Sequence, residues 1–393
     1  MTPDTCTRST PIDLNETRQP GERLLFVDLY RLIALFLMVQ GHLFRALVDM
    51  DLTKSFLWQA HESVHKFTAS IFLFGAGMIF MIVTRRRWDT YKRFSTKTLR
   101  RLRRYFYFLL IGFWLRLPFF SLRKTIQLMD SGLLAKMTAV DVLHVIAVGL
   151  ILLHLLCMLA GKPRRLLWFL LPLGIAFFVF APIVRTMQLS GPAPLISWIS
   201  RQYGSQFTII PWWGYIFLGA CLGIIFPDSG RIADERRLMN VVIIGGLALL
   251  GAGIGLASLM QWNFVYASGY RPDQMIARLG VVTSFMGFCW YLEQWGVARK
   301  LKGAFFLSEE SLIVYVVHLL LVYGSVLAPG MSRIIGNTLR LPGLMLSFIG
   351  VAAVTVAFTW GWHWLKKRNL KALKIVQAGM VIVFLLAYII RPY

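Results

Sequence analysis

A succession of long apolar stretches, separated by short charged or Gly/Pro-rich segments, limits this chain's fold more than any other feature. The stretches run at about 24–48, 67–84, 105–122, 142–160, 166–184, 209–226, 239–260, 275–296, 311–328, 341–363 and 374–391. A helix needs roughly 20 apolar residues to cross the hydrocarbon core of a bilayer. Inside that core every backbone N–H and C=O must be satisfied by the spanning element itself, and segments this long and continuous achieve it as helices. The expected fold is therefore all-α, a polytopic membrane bundle of about 11 transmembrane helices. Only 15% of the residues are charged and 57% are hydrophobic. A soluble domain has about 25% charged residues, so a soluble globule, a coiled coil and a disordered chain are excluded.

Residues 1–22 are polar and read as a loose cytoplasmic tail. They lack the short apolar core and small-residue cleavage site of a signal peptide. The four cysteines, Cys6, Cys157, Cys221 and Cys289, form no CxxC pair and no metal-ligand spacing, so neither a disulfide framework nor a metal is expected. No internal repeat is evident.

The net charge of +24 would point to nucleic acid on a soluble protein. In a membrane protein its placement comes first. With the N-terminal side called inner, 27 Lys and Arg lie in inner segments and 10 in outer ones. Basic loops face the cytoplasm, so the N-terminus is expected there, with the chain in a cell inner membrane and no nucleic-acid partner. Eleven spans would leave the C-terminus outside. The densest basic run, from Arg85-Arg86-Arg87 to Arg103-Arg104, reads first as a topology anchor on anionic lipid. The second, sharper reading is a docking rim for a polyanionic cytoplasmic ligand.

The first span, RLLFVDLYRLIALFLMVQGHLFRALV, holds Asp28, Arg31, His42 and Arg45. Ionisable groups are expensive inside a bilayer and usually mark function. At 100° per residue, positions 28, 31, 35, 38 and 42 share one face. Asp28 and Arg31 stand at i,i+3 and can pair. His42 lies about 16 Å along the axis from Arg31 at 1.5 Å per residue. Such a stripe reads as a lined path from the inner side outward. His61, His65, Arg116, Arg278 and the i,i+3 pair Asp141 and His144 can gather around His42 near the outer leaflet. A histidine beside an acid makes a general base near neutral pH. In the ninth span, Ser311, Tyr315 and His318 share a face. Gly214, Gly219 and Gly223 in the sixth read as close-packing positions.

These stretches resemble a known superfamily. Arg31, ten residues and His42 match the R-x10-H signature of the acyltransferase type 3 family. RLLFVDLYRLIALFLMVQGHLFRAL (23–47), HKFTASIFLFGAGMIF (65–80), DVLHVIAVGLILL (141–153), IIPWWGYIFLGACLG (209–223) and SLIVYVVHLLLVYG (311–324) resemble more closely the heparan-α-glucosaminide N-acetyltransferase-like family of the same transmembrane acyltransferase superfamily. The resemblance implies about ten core helices and a pocket crossing the membrane. It further implies acyl transfer from cytoplasmic acyl-CoA, acetyl-CoA above all, to a hydroxyl or amine of an extracytoplasmic carbohydrate or glycolipid. In this reading residues 23–365 form the acyltransferase domain and 366–393 an extra transmembrane helix. Self-association in the membrane is compatible with it.

The expected catalytic residues are His42, Asp141 and His144. The donor-binding ones are Arg31, Asp28, Tyr315, His318 and Arg116. Leu32, Gly41 and Ser70 depart from the family pattern, which often has Gly after the arginine, Asp or Asn before the histidine, and Pro in place of Ser70. With Gly41 there, an acid partner for His42 has to come from elsewhere, Asp141 or Glu62 being the candidates. The alternative is a proton-coupled secondary transporter or flippase using the Asp28/Arg31/His42 stripe as a relay.

Overall fold

The computed structural model describes residues 17–19, 21–261 and 270–391. Most of the polar tail, with Cys6, lies outside the described residues. The described chain is all-helical, with 77% helix and no strands. Helices of ten residues or more are numbered α1 (Leu25–Leu47), α2 (Phe56–His65), α3 (Thr68–Arg85), α4 (Thr96–Leu115), α5 (Val142–Ala160), α6 (Pro163–Val179), α7 (Ile209–Ile225), α8 (Ile232–Leu259), α9 (Pro272–Gln294), α10 (Ser311–Tyr323), α11 (Leu341–Arg368) and α12 (Leu370–Ile390).

The expected eleven spans are not confirmed. Seven helical segments are long and apolar enough to cross a membrane, or eight if the bent pair Lys302–Glu309 and α10 is one broken span. Three expected spans are helical yet fall short for physical reasons. α4 opens on the basic run, so charge occupies its first turns. α6 ends at Val179, before a second short helix at Ala181–Thr186. α7 has only 17 residues. Near the C-terminus, Asn369 divides α11 from α12, and its Oδ1 accepts from the N–H groups of Lys371 and Ala372. Asparagine is a favoured N-cap for this reason.

α1 is central and touches α3, α9, α10 and α11. Tyr30, Phe74, Phe217 and Trp290 are fully buried in the core. α8, α11 and α12 instead expose Ile244, Ile349 and Ile375, as lipid-facing helices do. α3 and α7 cross through glycines. A Cβ on Gly77 would lie 1.9 Å from the Ile216 carbonyl oxygen, and one on Gly219 would lie 2.0 Å from that of Phe74. The small residues of α7 thus allow the close approach expected of them. Gly219→Ala is expected to cost about 1–3 kcal/mol, as overpacking does, read as a lower thermal midpoint in detergent. Gly245→Ala, with nothing within 4 Å of its added Cβ, should leave the midpoint unchanged or higher.

One end of the bundle is basic. The Arg85 guanidinium caps the C-terminus of α7 through the carbonyls of Ile224 and Phe226, and it pairs with Asp228 at 2.6 Å. A cation is favourable there, because the last carbonyls of a helix lack partners and carry partial negative charge. Arg101 stacks on Tyr91 at 3.7 Å and donates to Thr84 Oγ1 at 2.7 Å.

Candidate active site

Two cavities open along the polar face of α1. The first, of about 670 Å³, lies at the basic end. Arg31, Arg87, Lys97, Arg100, Arg101 and Arg104 line it, with Tyr315 and apolar side chains deeper in. The second, of about 680 Å³, opens toward the other end and is lined by His42, Arg45, His65, Lys66, Arg116 and Asp141 among others. Met38, Phe72, Val142 and Tyr315 line both, so the two meet at an apolar waist carrying one phenol. Arg31, Leu35, Met38 and His42 follow one another along α1 from the first cavity into the second, as helical spacing predicts.

The broken helix around Glu310 ties α1 at two levels. Near the basic end, Arg31 Nη2 donates to Ser311 Oγ at 2.7 Å. At the other level, His42 Nδ1 lies 2.9 Å from His318 Nε2, and His318 Nδ1 lies 2.7 Å from the Val314 carbonyl oxygen. A carbonyl only accepts, so His318 Nδ1 carries the hydrogen. With both rings neutral, His318 Nε2 then accepts, and His42 Nδ1 is the donor. This relay leaves His42 Nε2 with a free lone pair. The result is a base whose tautomer is fixed by a second histidine and a backbone carbonyl.

Several expected partners are found elsewhere. Asp28 does not pair with Arg31: it bonds Arg23, and it accepts from Ser308 Oγ at 3.1 Å. Arg23 reaches it from just outside the helix, while Arg31 is turned to Ser311. Glu62 is engaged by Arg45 at 2.9 and 3.0 Å. Asp141 lines the second cavity, but its Oδ1 accepts from the Val142 N–H at 2.6 Å as an N-cap. His144 is fully buried and lines neither cavity. Its Nδ1 accepts from the Asp141 N–H at 3.1 Å, completing a capping box. Neither acid therefore orients His42. His318 stands behind His42 rather than in the first cavity. Arg116 belongs to the second cavity, across the waist from Arg31. Met38 and Phe72, the waist residues, are apolar and carry no sequence signal beyond Met38's place on the stripe.

Glu309, Glu310 and His363 form the one group of three ligand-type side chains found within 4.8 Å of one another among the described residues. Arg23 pairs with Glu309, and Lys366 with Glu310 at 2.7 Å. Cations thus already answer these carboxylates, and the group reads as an ion-pair network.

Fold and cavities together define a multi-pass helical membrane protein with a basic site and a histidine site that share four lining side chains within the bundle. The family described as heparan-α-glucosaminide N-acetyltransferase, catalytic, matches residues 23–263. The chain belongs to this family, and so to the membrane acetyltransferases. α10, which supplies His318, lies beyond the matched residues. No curated protein and no solved structure matches the chain.

Proposed function

We propose that the protein transfers an acetyl group from cytoplasmic acetyl-CoA to an amine or hydroxyl of an extracytoplasmic sugar-containing acceptor. The observation that carries the reading is the pair of cavities meeting at one waist, one rimmed by guanidinium groups and the other holding a tautomer-fixed histidine. In this reading the basic end faces the cytoplasm of a bacterial-type inner membrane, following the loop charges. The transfer unit spans 23–365, with 366–393 an added helix.

The donor's phosphates meet Lys97, Arg100 and Arg104, which make charge-assisted bonds to phosphate oxygens. The pantetheine arm runs past Arg31 and Tyr315, bringing the thioester carbonyl through the waist. Acceptor in the second cavity loses its proton to His42 Nε2 as its nitrogen or oxygen attacks that carbonyl. The carbon–sulfur bond then breaks, and the CoA sulfur leaves with the proton that His42 returns. Holding the two reactants side by side at the waist lowers the entropic part of the barrier. Direct transfer needs no nucleophilic side chain, and no Ser/His/Asp arrangement is present in the sequence.

The donor half is tested by thermal unfolding in detergent. A ligand that binds only the native state raises stability by about 2.7 kcal/mol at 100 times its Kd. CoA is expected to raise the midpoint, dephospho-CoA to do so less, and the Arg100→Gln/Arg104→Gln double variant to need about 10–100-fold more CoA. That range corresponds to the loss of about one hydrogen bond to a charged group in all, roughly 1.5–3 kcal/mol. No shift at saturating CoA would overturn the reading.

A further inference from the structure

The second cavity carries more positive charge than its own carboxylates answer. Arg45 is closed by Glu62. Asp141 is committed to the start of α5. Arg116 lines the same cavity, and its side chain has no hydrogen-bond or ion-pair partner among the described residues, with Nε buried. Lys66 lines it too. Behind this wall stands Arg278 on α9, only 5% exposed and close enough to Lys66 for the two like charges to interact. Its Nε has no hydrogen-bond partner among the described residues, and the Tyr215 hydroxyl, which interacts with Ser70, lies close enough to act on its charge.

Leaving a guanidinium buried without an acceptor is unfavourable. Arg278 is in that position, and together with the half-buried Arg116 and Lys66 of the cavity wall it favours an anion supplied from outside the chain. We infer that the second cavity recognises an acceptor bearing an anionic group, a phosphate or a carboxylate, gripped by Arg116 in the field of Lys66 and Arg278. The inference rests on the acetyl-transfer reading only in calling the occupant the acceptor. Arginine suits the task, because its planar fork matches both oxyanions with paired hydrogen bonds. An anion docked on Arg116 would anchor the acceptor in the cavity that His42 faces, while the reacting amine or hydroxyl stays free.

The test uses the full chain in phosphatidylcholine nanodiscs and reads thermal stabilisation by three amino sugars. They are glucosamine, glucosamine 6-phosphate and muramic acid, which are neutral in substituent, phosphorylated and carboxylated respectively. At least one charged sugar is expected to act at a tenfold lower concentration than glucosamine, and the better of the two names the anion. Arg116→Gln should bring the charged sugars to the level of glucosamine, and Arg278→Gln should narrow the gap. A retained response to CoA, whose rim is on the other cavity, shows that each variant is folded. The inference is overturned if charged and neutral sugars act at the same concentration, if none binds, or if Arg116→Gln keeps the preference. Loss of the CoA response in the unmodified protein, with the charged preference intact, would sink the donor reading and leave the anion site standing.

Discussion

His42→Ala is expected to lower acetyl transfer by about 10²–10⁴-fold, the usual contribution of a positioned general base, with the protein still folded. The assignment has two supports. His42 lines the second cavity, and its Nδ1 is taken up by His318 at 2.9 Å, leaving Nε2 as the basic atom. His318→Ala removes the acceptor for that Nδ1–H and frees the imidazole to adopt the other tautomer. The expected loss is about 10–100-fold, comparable with removing an outer partner from a functional imidazole. His318→Gln offers a side-chain carbonyl to the same hydrogen and should recover part of the activity. Its pH–rate profile should lie between those of the unmodified protein and His318→Ala. The measurement is initial rate against pH with acetyl-CoA and glucosamine. Equal rates for His42→Ala and the unmodified protein would remove His42 from the chemistry.

Arg18→Ala should have the largest effect on stability, about 3–5 kcal/mol, the range for removing one partner from a buried ion pair. Arg18 lies outside the helices yet reaches two buried carboxylates. It meets Glu235 at 2.9 Å and Glu293 at 2.9 Å. Burial opposes its charge, but the two acids outweigh that and raise its pKa above the ordinary arginine value. Glu235 also accepts from Trp290 Nε1 at 2.7 Å, and Glu293 accepts from the N–H groups of Leu25 and Phe26 at the start of α1. Removing Arg18 therefore strands two acids and loosens the entry of the helix that carries Arg31 and His42. Thermal midpoint in detergent is the readout. Arg18→Lys should recover part of the loss, and Glu235→Gln placed on Arg18→Ala should recover some as well. An unchanged midpoint in Arg18→Ala would contradict this account of the tail.

The register of α1 is legible in the sequence because helical geometry alone places Arg31, Leu35, Met38 and His42 on one face. Partnerships across long separations are not. His318 stands 276 residues from His42 on a broken helix, and no spacing rule connects them. Asp28 and Arg31 looked paired because i,i+3 neighbours can meet on a helix. Arg23 and Ser308 reach Asp28 first, one from beyond the helix end and one from 280 residues away. Span counting suffered from the same blindness. Hydropathy recognises apolar runs but not the basic opening of α4 or the break after Val179. Asp141 and His144 were legible as a pair at i,i+3. That they cap a helix, with His144 sealed behind Gly112 and Phe113, depends on packing from α4.

The central claim is transfer across the bundle, from the basic cavity to the histidine cavity. The most direct measurement uses proteoliposomes of known orientation, with labelled acetyl-CoA only on the side of the basic end and glucosamine 6-phosphate only on the opposite side. The account predicts labelled N-acetyl product in the acceptor compartment, abolished by His42→Ala, with CoA released on the donor side. Movement of intact acetyl-CoA or sugar phosphate across the membrane with no acetylated product would contradict it and make the protein a transporter.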